Sequence, residues 1–305
     1  MSKPRRIVPN VTYFVTRRTT RRFFLLNPDR KRLIRAIYWY ATAVLAEEFG
    51  IRVHAVQILS NHMHEVLTDT RGELPRFLQQ RNRLFANAIK VLRGWPEEVF
   101  ARGSASCVAL YGEEAILRQI AYTLANAVEA GLAAQPEEWP GVTLAATDIG
   151  SRTISVERPS LYFDASNTRW PRVAKIDISV PSALEASFGR ASAMERIVST
   201  VGSAVRAARE TARKAGRFVR SLAEIFATPH TRRASSLEKE LARNPTFAAA
   251  GNRELAARAL HEMRSFLKAY GEALMRVRHG IRDTVFPQGT WRLNREFGFS
   301  VSSTG

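Results

Sequence analysis

Apolar and polar positions alternate along parts of the first half of the chain, and between those parts apolar residues recur at helical spacing. VTYFVT at 11–16 reads as a strand and runs into the arginine cluster RRTTRR at 17–22. Asn27 is expected to cap a helix with Pro28 in its first turn. Its apolar stripe is Leu33, Ile34, Ile37, Tyr38, Ala41 and Leu45, and Gly50 ends it. IRVHAVQILS, with its β-branched residues, reads as a strand. The apolar character then resumes over 62–68 and fades near Asp69, giving two halves of a hairpin or one long bent strand. A second helix is predicted from about 73 to 93, a short strand over SCVALY (106–111), and a third helix from near Gly112 to Gly131, a suitable residue just past its C-cap. The order β-α-β-β-α-β-α fits an α+β domain with a ferredoxin-like antiparallel sheet.

Beyond Gly150 the pattern changes. Residues 151–181 hold strand-like fragments, with KIDISV alternating cleanly, whereas 182–280 read as mostly helical and rich in Ala and Arg. A helix is expected from about 192 to 227. On it Arg206, Arg209, Arg213, Arg217 and Arg220 would line one face, and Met194, Ile197, Val198, Val201 and Val205 the other. The arginine face is either a solvated helix surface or a stripe that tracks phosphates. The chain ends in VFPQGTWRLNREFGFSV, which reads as a turn-and-strand piece around Pro287 and Gly289. Two domains are therefore expected, 1–150 and a basic, mostly helical extension over 151–305.

Charge changes the picture most. The 305 residues carry 46 basic and 28 acidic side chains, a net of +18, and 39 of the basic residues are arginine. Arginine presents a planar fork that grips phosphate at two points, so a polyanion, nucleic acid above all, is the expected partner. Cys107 is the only cysteine, which excludes an intrachain disulfide. No apolar run approaches a membrane span and MSKPRRIVPN lacks the apolar segment of a signal peptide, so no membrane association and a cytoplasmic location are expected.

His62 and His64 stand either side of Met63 in a predicted strand. Residues two apart on a strand point to one face, about 6.7 Å apart along the chain. Both imidazoles can then reach one metal ion while Met63 faces the core. On a helix the same spacing would splay the rings roughly 200° apart. On the third helix Tyr122 and Asn126 lie four apart and share a face, beside the apolar stripe Ile116, Ile120, Leu124, Ala127 and Val128. Each feature taken singly also has a plain structural reading, as polar-face histidines and a packed tyrosine.

Together the residues resemble the single-tyrosine HUH transposases, of the REP-associated tyrosine transposase type. The family pattern P-N-H-V-H is similar to Ser60-Asn61-His62-Met63-His64, followed by Glu65, Val66 and Leu67. The family pattern Y-x-x-x-N-P-V-x-A-G-L is similar to Tyr122, Asn126, Ala127, Val128, Ala130, Gly131 and Leu132. YFVTRRTTRR and EEWPGV (137–142) also resemble family segments, and the resemblance covers roughly residues 10–145. Ser60 and Ala127 stand where the family has proline. The resemblance implies an HUH endonuclease domain that cleaves and rejoins single-stranded DNA, with hairpin-forming repeats as target. It implies Tyr122 as nucleophile, giving a 5′-phosphotyrosyl link, and His62, His64 and Asn126 as ligands of Mg²⁺ or Mn²⁺. It leaves monomer and homodimer both open, with the tyrosine serving its own histidine pair or a partner subunit's. Arg17, Arg18, Arg21 and Arg22, with the arginines at 206, 209, 213, 217 and 220, would hold the phosphates.

Two other functions fit parts of the pattern. A metal-dependent hydrolase also uses H-x-H on a strand, but needs further His, Lys and Asp ligands, and the remaining histidines (His54, His230, His261, His279) lie outside such a pattern. A hairpin-binding or single-strand-binding protein that does not cut would keep the basic surface without the chemistry.

Overall fold

A computed structural model describes residues 4–103, 105–235 and 245–302. Residues 236–244, part of the expected helical stretch, lie outside them. The chain is mixed α+β. Strands β1 (Val11–Arg18), β2 (Ile51–Ile58), β3 (His62–Asp69) and β4 (Ser106–Leu110) alternate with α1 (Leu33–Phe49), α2 (Leu74–Arg93) and α3 (Glu113–Glu129) in the order the sequence predicts. Then come β5 (Val142–Thr143), β6 (Thr153–Glu157), β7 (Val173–Asp177), α4 (Ser182–Phe188), α5 (Arg190–Lys214), α6 (Leu222–Ala227), β8 (Phe247–Ala248), α7 (Arg253–Arg278) and α8 (Trp291–Phe297).

The main sheet runs β5-β2-β3-β1-β4-β8, and its inner four strands are antiparallel, as in a ferredoxin-like domain. β2 and β3 are a hairpin rather than one bent strand, joined by Leu59, Ser60 and Asn61. Because side chains alternate across a sheet, β3 sends His62 and His64 to one face and Met63 and Glu65 to the other. The Met63 face is covered by α1 and α2. There the Glu65 carboxylate, fully buried, accepts from both Nη1 and Nη2 of Arg81 on α2 (2.5 and 2.7 Å) and from the Tyr38 hydroxyl of α1. α3 covers the opposite face.

Several local expectations change. Asn27 does not cap α1; the Asp29 carboxylate accepts from the Leu33 and Ile34 N–H groups (both 2.9 Å). Asn27 instead donates to the Ile225 and Thr228 carbonyls, which ties the α1 approach to α6. The helix expected over 192–227 is two helices. α5 stops at Lys214, Gly216 takes φ 64, and α6 begins at Leu222 with Ser221 as its cap. Arg217 and Arg220 therefore lie off the helix. Ile197, Val201 and Val205 are buried as predicted, with Ala193, Ala208 and Ala212, while Val198 is exposed and Met194 half-buried. The C-terminal piece contains the short helix α8, and its extended part reduces to two isolated bridges, Phe286 with Val301 and Thr290 with Arg6.

The core crosses residue 150. Ile178, Val180, Leu184, Ile197, Val201 and Val205 belong to the same buried cluster as Val15, Val53, Val66 and Leu124. Hairpin β6–β7 reaches β2 through a bridge from Ile178 to Val53, beside a register shift in which His54 is the extra residue. His54 is fully buried, its Nδ1 against the Ser179 carbonyl and its Nε2 against the Thr68 hydroxyl (both 2.7 Å).

Burial lowers the His54 pKa to about 4. An unfolded histidine titrates near 6.5, so between those values the unfolded chain binds the extra proton, and the neutral ring's stabilisation is lost as pH falls through the window. Wild type should lose about 2 kcal/mol more stability than His54→Asn between about pH 7 and about pH 4.5. Urea unfolding of both proteins at the two pH values measures it, and equal losses would remove His54 from the account.

Candidate active site

Four predicted site residues meet between β3 and α3. The His62 and His64 rings lie 4.8 Å apart, centroid to centroid, near-perpendicular, and the Tyr122 ring is 5.3 Å from His64. Asn126, one turn along α3, lies beside both His62 and Tyr122, close enough to influence the titration of each. Tyr122 is 44% exposed, so its ring borders solvent, while His64 is buried.

The other faces of the rings are fixed. β1 pairs with β3 so that Thr16 faces His64 and Arg18 faces His62. The Thr16 hydroxyl lies 3.1 Å from His64 Nδ1, and Phe14 stacks on His64 at 5.4 Å with 9° between planes while meeting Tyr122 edge-on. His62 Nδ1 donates to Asn61 Oδ1 (2.7 Å), which leaves its Nε2 as the lone-pair nitrogen. Asn61 is held in turn: its carbonyl accepts from the Thr19 N–H and hydroxyl, and its amide donates to the Arg22 carbonyl.

Burial, with Arg18 adding to it, lowers the His62 pKa to about 4 despite Asn126. Burial, His62 and Arg18 hold His64 well below the ordinary value. Both imidazoles are therefore neutral near pH 7, which is the form that binds metal. Two neutral imidazoles with an amide beside them, each Nδ1 already partnered, form a donor set that could hold one divalent cation. Burial and Glu129 raise the Tyr122 pKa, opposed by Asn126 and Arg18.

α3 is held at the level of Tyr122 and Asn126 by Gln57, a residue the sequence reading passed over. Buried in β2 opposite His64, it donates to the Leu124 carbonyl (3.1 Å) and accepts the Ala127 N–H (2.7 Å). Ala127 thus offers a backbone donor where the resembled pattern has proline, and Gln57 takes it up. Phe14 and Thr16 were missed too, although the alternation of VTYFVTRR places 14, 16 and 18 on one face.

The expected phosphate-holding arginines divide. Arg18 is at the site; Arg17, one residue before it, points to the α2 face, donates to the Gly103 carbonyl and stacks on Phe100. Arg21 is largely exposed, 4.0 Å from Glu97, and Arg22 lies beside His62. Arg209 donates to the Ala134 carbonyl (2.8 and 2.7 Å) and Arg217 to the Glu129 carbonyl at the end of α3 (2.7 Å). Arg213 pairs with Glu210, Arg206 donates to Ser203, and Arg220 is exposed. The stripe is thus interrupted, and two of its members tie α5 and the segment after it to the end of α3.

Among the described residues no group of three or more His, Cys, Asp or Glu side chains is placed to hold a metal, and His54 is occupied with Ser179 and Thr68, so the further ligands of a hydrolase do not join the pair. No described helix is long and apolar enough to cross a membrane.

No family model and no curated protein matches the chain. A solved structure of a REP-associated tyrosine transposase bound to a REP hairpin is similar to it at 21% identity and a TM-score of 0.38, over 46% of this chain and 81% of that one. A likeness of that degree carries no argument about the site.

Gln57→Leu should remove two buried hydrogen bonds to the α3 backbone, costing about 1–3 kcal/mol in all, and should weaken any activity that needs Tyr122 in place. Denaturant unfolding checks the first part. A loss under about 1 kcal/mol would show that α3 keeps its seat without Gln57.

Proposed function

We propose that the protein breaks and rejoins single-stranded DNA through a covalent link to Tyr122, as a transposase-like strand transferase. The observation that supports it is the convergence of Tyr122, Asn126, His62 and His64, from a helix and a strand distant in sequence, in a chain of net charge +18. The motifs resembling the HUH transposases carry the same residues.

In this reading the Tyr122 oxygen attacks the scissile phosphorus in line. The phenol releases its proton to solvent, and the oxygen–phosphorus bond forms as the bond to the 3′ oxygen breaks, leaving a 5′-phosphotyrosyl link and a 3′ oxygen that takes up a proton to become a hydroxyl. Phosphodiester energy is kept in the link, so a 3′-hydroxyl of the same or another strand can reverse the step and join DNA. The phenol begins protonated, since burial raises its pKa, and Arg18 beside it favours the phenolate. Phe14 and Asn126 aim the ring. His62, His64 and Asn126 would hold Mg²⁺ or Mn²⁺, which when bound offsets charge on the phosphate. Residues 1–150 supply these groups, and residues beyond 150 support them through α5 and Arg217. Hairpin-forming DNA as target belongs to the same reading.

Tyr122→Phe should abolish denaturant-resistant DNA adducts while DNA affinity stays within a few-fold, because only the nucleophilic oxygen is lost. Gel analysis with labelled oligonucleotides decides it, and an adduct surviving in the mutant would sink the assignment. His62→Ala and His64→Ala should each remove cleavage together with Mn²⁺ binding, measured calorimetrically, whereas Asn126→Ala should only raise the metal concentration required. Metal-stimulated cleavage persisting in either histidine mutant would overturn the ligand set.

A further inference from the structure

On the sheet face opposite Tyr122 lies an open groove of about 720 Å³, between α2 and residues 98–103 with Ala105. Its α2 wall presents Gln79, Arg83, Asn87 and Lys90, which recur every three or four residues and so share one side of the helix. From Gln79 to Lys90 the wall is about 16 Å long. Arg102 faces it from the far side, and Arg17 forms part of the floor.

The groove's charge is largely uncompensated. Arg83, Lys90 and Arg102 form no ion pair among the described residues, and Glu98 is the single carboxylate among the lining residues. Arg17 Nε is buried and has no hydrogen-bond partner among the described residues, although its Nη1 donates to the Gly103 carbonyl. The cations are spread along the groove, with Arg83 and Lys90 two helical turns apart, which suits a chain of phosphates better than one phosphate group.

We propose that this groove binds the sugar–phosphate backbone of single-stranded DNA in a part of the strand that is not cut. The inference rests on the strand-transfer reading for the identity of the polyanion. α2 and α3 cover opposite faces of the sheet, so DNA in the groove cannot be the nucleotide at Tyr122. Consecutive residues of β1 link the two places: Arg17 enters the groove and Arg18 the tyrosine site, and Arg21 and Arg22 follow at the same end of the sheet. A strand held in the groove can thus pass over that basic end to reach the tyrosine.

The test is a salt titration of binding to a long mixed-sequence single-stranded DNA, followed by fluorescence anisotropy. It compares wild type with the triple variant Arg83→Gln, Lys90→Gln, Arg102→Gln. A control triple, Arg253→Gln, Arg264→Gln, Arg276→Gln, removes the same charge from exposed positions of α7. Each phosphate contact contributes about −0.7 to the log–log slope on single strands, so the groove triple should flatten the slope by about 2 and weaken binding by about 10- to 100-fold. The control should leave the slope near that of wild type. An unchanged slope in the groove triple, or equal flattening in the control, overturns the groove. Adduct formation by wild type is scored separately. A flattened slope without adducts keeps the groove and overturns strand cleavage, adducts with an unchanged slope do the reverse, and absence of DNA binding by wild type overturns both.

Discussion

The fully buried pair of Glu65 and Arg81 fixes which way β3 faces. A carboxylate and a guanidinium taken out of water are tolerable only when they meet with good geometry, and removing one partner from such a pair costs about 3–5 kcal/mol. Here the two-point contact is joined by the Tyr38 hydroxyl, and Arg81 lies over the Tyr38 and Phe77 rings. The Glu65 carboxylate keeps Arg81 charged in spite of burial, which by itself would favour the neutral form. A one-residue slip of β3 would carry Glu65 out of this pocket and turn both histidines into the α1–α2 layer. The orientation of the histidine pair is therefore set by an ion pair on the other side of the sheet.

α3 is fixed from several directions. Its apolar side lies on the sheet, Gln57 grips its backbone in the middle, and α5 packs along it. At its end Arg217 meets the Glu129 carbonyl, where a cation complements the negative end of the helix dipole. Gly131 follows with φ 69, and a side-chain carbon there would come within 3.0 Å of Arg217 Cβ. Tyr122 and Asn126 sit on the narrow strip of α3 left uncovered, so the proposed nucleophile stands on a rigid support at the border of solvent.

The first half of the fold was legible because its signals are local. Alternation in VTYFVT and IRVHAVQ, helical spacing in 33–49 and 113–129, and a glycine after each of those helices name the elements without reference to the rest. The histidine pair and the Tyr122–Asn126 pair were legible for the same reason. What was not legible depends on partners far along the chain. Asn27 looks like a cap until α6, some 200 positions later, claims its side chain. The arginines from 206 to 220 look like one stripe until Gly216 breaks the helix and the end of α3 takes up Arg217. Gln57 looks like an ordinary polar residue of a strand, since its role exists only once α3 lies across it. The end of the sequence misled through Pro287 and Gly289, whose turn signal hid the short helix after them.

The contact between Gln57 and Ala127 also constrains how this chain can vary. Proline at 127 has no N–H and so asks nothing of residue 57. Alanine there brings a donor into a buried place, and glutamine at 57 supplies the acceptor while its own amide finds the Leu124 carbonyl. Two positions 70 residues apart are thereby bound into one choice. Exchanging alanine for proline on its own would remove the donor that meets the glutamine oxygen, and exchanging the glutamine on its own would remove both of its contacts with the α3 backbone.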